Sequence, residues 1–218
     1  MSGALFPRDR SRTEVAPGAV HVPGWLSAER QRELVGACRE WARGPVPMRR
    51  TVLPGGGVMS VQTVCLGWHW QPYRYARVAG DVNGARVAEL PGWLVELGRA
   101  AVVEAYGDAG AYAPDAALVN FYDGDARMGM HQDKEERAGW APVVSLSLGD
   151  TCVFRFGNVE GRGRPYTDVE LESGDLFVFG GDSRFAFHGV PKVMPGTGDP
   201  GLGVAGRLNI TLRETGLG

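Results

Sequence analysis

Two histidines and one aspartate carry the first chemistry this sequence suggests: His131-Gln132-Asp133, and His188 far downstream. Two imidazoles and a carboxylate offer three ligands to one side of an ion. That set suits Fe(II) when its remaining positions must stay open for a cosubstrate and oxygen. Close behind His188 runs Arg207-Leu208-Asn209-Ile210-Thr211-Leu212-Arg213. In a strand, Arg207, Asn209, Thr211 and Arg213 share one face and the three apolar residues share the other. If the apolar face packs against a helix, both guanidinium groups point into the body of the fold, where an unpaired charge is strongly unfavourable. A dicarboxylate cosubstrate satisfies them through bidentate pairing. Asn120 and Tyr122 fall on one face of an upstream strand and are placed to hydrogen-bond the same ligand.

These residues need a scaffold that brings distant stretches together. Alternate strand residues point the same way, so His131 and Asp133 can converge on one ion while Gln132 faces elsewhere, with His188 on a neighbouring strand. Strand-like patterns span Ala117–Tyr122, Val143–Leu148, Cys152–Phe156, Asp168–Glu172, Asp175–Phe179, Phe185–Val190 and Leu208–Arg213, separated by Gly, Asp, Asn and Pro. Two helices precede them. Ser27 is placed to cap the first, Ala28–Arg43, with Leu34, Val35, Cys38 and Trp41 on its inner face. The second runs Pro91–Tyr106, with Leu94, Leu97, Ala101 and Val102 inward and Gly107 as its stop. The fold class is therefore mainly β, a closed or double-layered antiparallel body with two helices outside it.

Between the helices, residues 45–84 carry Pro54-Gly55-Gly56-Gly57, Met59-Ser60-Val61 and a cluster of Trp68, Trp70, Tyr73 and Tyr75. This reads as a hairpin-bearing flap outside the main core, able to close over a ligand. Residues 1–17 read as a flexible arm, residues 18–218 as one domain, and Gly196–Gly206 as a flexible surface loop.

Bulk properties narrow the class. At 218 residues and 44% hydrophobic content the chain can bury one sizeable core. A net charge of −2 and a pI near 6.1 give no whole-molecule attraction to nucleic acid, so such binding requires local basic surface. Arg49-Arg50, Arg74, Arg77 and Arg162-Gly163-Arg164 are the candidates. Three separated cysteines without a CxxC pair indicate reduced thiols, and with no secretory or membrane-spanning run a cytoplasmic, monomeric protein is expected. A second reading remains open at this level: a nonenzymatic β-barrel that binds single-stranded nucleic acid on its aromatic flap.

The chain resembles the AlkB family of Fe(II)- and 2-oxoglutarate-dependent dioxygenases over roughly Val20 to Arg213. The residues that carry the resemblance include Leu66-Gly67-Trp68, Asn120-Phe121-Tyr122, His131-Gln132-Asp133-Lys134, Ser145-Leu146-Ser147-Leu148-Gly149, His188-Gly189 and Arg207 through Arg213. It implies a double-stranded β-helix, with His131, Asp133 and His188 binding Fe(II) and acting as the catalytic centre. Arg207 would pair with the far carboxylate of 2-oxoglutarate and Arg213 would lie near its metal-binding end, with Asn120, Tyr122 and Asn209 in the same pocket. With O2 as second cosubstrate, the implied reaction hydroxylates an N-methyl group on 1-methyladenine or 3-methylcytosine in DNA or RNA and releases formaldehyde and succinate. The base must leave its stack to be reached. The resemblance places it between Trp68 and His131, with Met59, Ser60 and Tyr73 nearby, Glu135 beside a cationic base, and Arg162 as a substrate contact. Glu135 replaces the family's aspartate, Gly57 stands where relatives often carry an aromatic residue, and Glu136 is expected in a solvated acidic turn.

Overall fold

Alternating apolar residues, broken by glycine at most of the turns, give a β-sandwich in the computed structural model, which describes residues 10–218. In chain order the elements are β1 (Thr13–Ala16), β2 (Ala19–Val22), α1 (Ala28–Trp41), β3 (Arg49–Val52), β4 (Val58–Leu66), β5 (His69–Gln71), β6 (Arg74–Ala76) and α2 (Gly92–Tyr106). There follow β7 (Ala116–Tyr122), β8 (Met128–His131), β9 (Val143–Gly149), β10 (Thr151–Phe156), β11 (Thr167–Leu171), β12 (Leu176–Phe179), β13 (His188–Met194) and β14 (Arg207–Arg213). The main sheet is ordered β1-β2-β12-β9-β14-β7-β4-β3 and the smaller sheet β11-β10-β13-β8, with all pairings antiparallel. This is the expected double-stranded β-helix.

Two cores hold the layers. On the outer side of the main sheet, Leu208, Ile210 and Leu212 of β14 pack with Leu34, Val35 and Cys38 of α1 and with Leu94, Ala101 and Val102 of α2. Burying one such leucine is worth roughly 1.5–3 kcal/mol. The approach is close: a Cβ at Gly98 would stand 2.8 Å from Leu212 Cδ1. Ser27 caps α1 as expected, its Oγ accepting from Arg30 N at 3.2 Å. Between the sheets lies an aromatic core of Phe154, Phe156, Phe177 and Phe179. With both faces of β14 thus assigned, its polar side must look inward.

Several expectations change. Residues 13–16 are not a loose arm but strand β1, paired with β2, while residues 1–9 lie outside the described set. The hairpin β3–β4 is not outside the main core, because β4 pairs with β7 along Gln62–Leu66. Only β5–β6 stands apart as a two-stranded hairpin. The strand expected at Phe185–Val190 begins at His188, because a short helical turn at Gly181–Ser183 precedes it. Within Gly196–Gly206 a helical turn buries Leu202, and Arg39 of α1 donates to the carbonyls of Leu202 and Gly203, so the loop is pinned to the helix. Among the described residues, no helix is long and apolar enough to cross a membrane.

Candidate active site

Strands β8 and β13 are neighbours, and their register sets His131 directly opposite His188. Asp133 follows two residues past the end of β8, buried. Nε2 of His131 lies 3.6 Å from Asp133 Oδ1, and Nε2 of His188 lies 3.7 Å from Asp133 Oδ2. The three donor atoms fall within 4.8 Å of one another, close enough for one ion to touch all three. Each ring is oriented through Nδ1, His131 by the Gly129 carbonyl and His188 by the Ala186 carbonyl, both at 3.0 Å. That arrangement leaves Nε2 free for a metal. Burial and the neighbouring His131 lower His188 to about 4, so its imidazole is neutral at pH 7. Burial pushes the Asp133 carboxyl up, but Arg213, His188 and His131 outweigh it and take it down to about 2. A neutral imidazole and an ionised carboxylate are the forms that bind metal.

Beside this group, a narrow cavity is lined by Asn120, Tyr122, Arg207, Asn209 and Arg213. Every one of the five expected cosubstrate residues is there. Arg207 is fully buried, yet only its Nη2 has a partner, Ser147 Oγ at 3.0 Å, while Nε and Nη1 have none. Arg213 Nε is likewise unpartnered, and its Nη2 sits 2.8 Å from Asp133 Oδ2. Asn209 is already satisfied by Ser145 Oγ and the Leu146 carbonyl, so it shapes the wall. Buried guanidinium N–H groups without acceptors are costly unless a ligand supplies them. The orphaned donors fit a diacid, and the adjacent ligand set fits Fe(II).

The family model of the 2OG-Fe(II) oxygenase superfamily matches residues 18–213. Over 208 residues the chain is 39% identical to the alpha-ketoglutarate-dependent dioxygenase AlkB homolog of Caulobacter vibrioides, covering 92% of this chain and 89% of that one. This is an AlkB-family Fe(II)- and 2-oxoglutarate-dependent dioxygenase. The solved structure of OsALKBH1 superposes with a TM-score of 0.83 at 32% identity, covering 93% of this chain and all of that one. The DNA N(6)-methyladenine demethylase ALKBH1D of Arabidopsis thaliana is 32% identical over 226 residues, and the chain spans 50% of its length.

In this AlkB-family site, a cleft of about 520 Å³ opens outward from the metal ligands. Met59, Ser60, Tyr73, Glu135 and Arg162 all line it together with His131. Trp68 does not. Its indole Nε1 donates to Asp115 at 2.9 Å, and the Arg77 guanidinium covers its ring at 3.9 Å. The tryptophan facing the cleft is Trp70, two positions on, at the centre of β5. Tyr73 sits at the turn between β5 and β6 with φ of 71°, a left-handed conformation that a bulky residue adopts only under constraint.

Glu136 also departs from expectation. It is buried, not solvated: Oε1 accepts from Tyr75 OH at 2.5 Å and Arg213 Nη1 at 3.0 Å, and Oε2 accepts from Arg184 Nη2 at 3.1 Å. A carboxylate beside a run of charges looks like surface in sequence. The two arginines that bury it come from Gly180-Gly181-Asp182-Ser183-Arg184 and from β14, and nothing local announces them.

Proposed function

We propose that this protein restores N-methylated nucleobases in DNA, and also in RNA, with 1-methyladenine and 3-methylcytosine as preferred lesions. The observation that carries this reading is a pair of adjoining cavities that share His131 and Asp133: orphaned guanidinium donors line one and aromatic residues line the other. His131, Asp133 and His188 hold Fe(II); Arg207 and Arg213 bind the two ends of 2-oxoglutarate. When bound, Fe(II), 2-oxoglutarate and O2 supply the oxidant that hydroxylates the methyl carbon, giving succinate, carbon dioxide and, from the base, formaldehyde.

The chain's own residues position the base. Trp70 and Tyr73 offer stacking surface, worth about 1–3 kcal/mol per base, which helps offset extraction from the helix stack. Glu135 brings negative charge to a cationic ring, and Arg127, Lys134 and Arg162 bring positive charge to the cleft wall, where the phosphate backbone requires it. Those three cations have no ion-pair partner among the described residues, which reconciles an acidic protein with an anionic substrate. The Arabidopsis relative is a DNA demethylase by name, which supports the same substrate class. The protein acts as a cytoplasmic monomer, with residues 18–218 as its one catalytic domain.

The test is direct. Purified protein with Fe(II), 2-oxoglutarate and a single-stranded oligonucleotide carrying 3-methylcytosine should yield formaldehyde and unmodified cytosine, in DNA and in RNA. Asp133→Ala should abolish both products while the circular dichroism spectrum stays unchanged. Turnover that survives this substitution would refute the assignment.

A further inference from the structure

The two compartments of the site are joined by one buried carboxylate, and we infer that Glu136 is a positioning residue through which they sense each other. The inference rests on the reading that the cleft takes a methylated base and the inner cavity takes 2-oxoglutarate.

Its basis is the path of hydrogen bonds. Glu136 Oε1 is shared by Tyr75 OH and Arg213 Nη1, and Arg213 Nη1 also donates to Tyr75 OH at 3.1 Å, closing a three-membered ring of contacts. Tyr75 belongs to β6, half of the hairpin whose other strand carries Trp70 into the cleft. Arg213 ends β14 in the cosubstrate cavity. The opposite oxygen, Oε2, holds Arg184, which donates in turn to the backbone carbonyls of Asp133 at 2.7 Å and Ala141 at 2.6 Å. Glu136 therefore fixes the recognition hairpin, one cosubstrate arginine and the loop bearing a metal ligand. It touches neither ligand. With Asp133 and Glu136 facing Arg184 and Arg213, the charges balance among four buried side chains, and the network keeps its geometry only while its members stay paired.

The hairpin shares no strand ladder with the main sheet and meets it through Arg49, Cys65 and Leu118 on the side of Trp70, whereas Tyr75 reaches Arg213 directly, so displacement of Tyr75 by a base in the cleft must be felt at Arg213, and filling of the diacid cavity must be felt at the hairpin. Linkage requires the effect to be reciprocal.

Binding, not turnover, tests this. A 3-methylcytosine oligonucleotide is titrated by fluorescence anisotropy into protein held with Mn(II), with and without saturating 2-oxoglutarate, under nitrogen. In the wild type, 2-oxoglutarate should tighten binding by about fivefold or more. Tyr75→Phe, which removes one hydroxyl and keeps the ring, should bring that factor close to one while 2-oxoglutarate alone binds as before. Glu136→Gln keeps an acceptor for Tyr75 but loses the negative charge that faces Arg213, and should weaken 2-oxoglutarate itself. A wild-type factor near one, or a factor unchanged in Tyr75→Phe, overturns the inference. Failure of the oligonucleotide to bind at all would instead strike the proposed function.

Discussion

Arg207 shows what a single residue can reveal when its hydrogen bonds are counted. Its guanidinium is buried with one acceptor, Ser147, where five N–H groups need partners. Such a group is tolerable only if it is held for a ligand. Arg207→Met should therefore raise the KM for 2-oxoglutarate by roughly 10- to 150-fold, the worth of a hydrogen bond to a charged group. The melting temperature of the ligand-free protein should not fall, because an unsatisfied buried charge is replaced by an apolar chain of similar length. A fall in both would make Arg207 a structural residue. Sequence made this residue legible because alternation along β14 leaves no other face for it. Glu136 was not legible, since its burial depends on Arg184, Arg213 and Tyr75, three residues from other parts of the chain.

At the scale of elements, the pattern of alternation predicts strands well and predicts facing poorly wherever the chain turns. Strand β14, both helices and the opposition of His131 and His188 follow from periodicity, caps and spacing. The region around Trp68 does not. Gly67 takes φ of 71° between β4 and β5, and a Cβ there would lie 2.0 Å from the Asp115 carbonyl oxygen, so the chain turns sharply at this point. Trp68 is left against Asp115 and Arg77, and Trp70 takes the cleft. The consequence separates two tryptophans that sequence cannot. Trp70→Ala should weaken binding of a methylated oligonucleotide by about 1–3 kcal/mol, the value of one stacked base, with little change in stability. Trp68→Ala should lower the urea midpoint and leave affinity near wild type. Anisotropy titrations beside urea melts would reveal whether the roles are reversed.

Across the whole molecule, the sandwich depends on how the N-terminal strands close the main sheet, and one buried carboxylate organises that edge. Asp175 accepts from Gly24 N and Glu172 N, both at 2.9 Å, contacts His21 Nε2 at 3.0 Å and ion-pairs Arg10, so it ties its own turn to Arg10 and to the segment from His21 to Gly24. Burial pushes its pKa up, but His21, the two backbone N–H groups and Arg10 outweigh burial and hold it below the ordinary carboxylate range. A carboxyl depressed in the folded state binds protons more readily when unfolded. Its stabilising contribution is thus complete above the unfolded value of about 3.9 and is lost as pH falls through the folded value. Asp175→Asn keeps the shape and one acceptor but removes the charge. At pH 7 it should be less stable than wild type, and the gap between their urea midpoints should narrow steadily below about pH 4, where the wild-type carboxyl takes up its proton. Taking the difference between the two proteins cancels the other carboxylates, which titrate in both. A gap that stays constant from pH 7 down to pH 3 would mean that the ionised form of Asp175 does not hold the N-terminal strands in place.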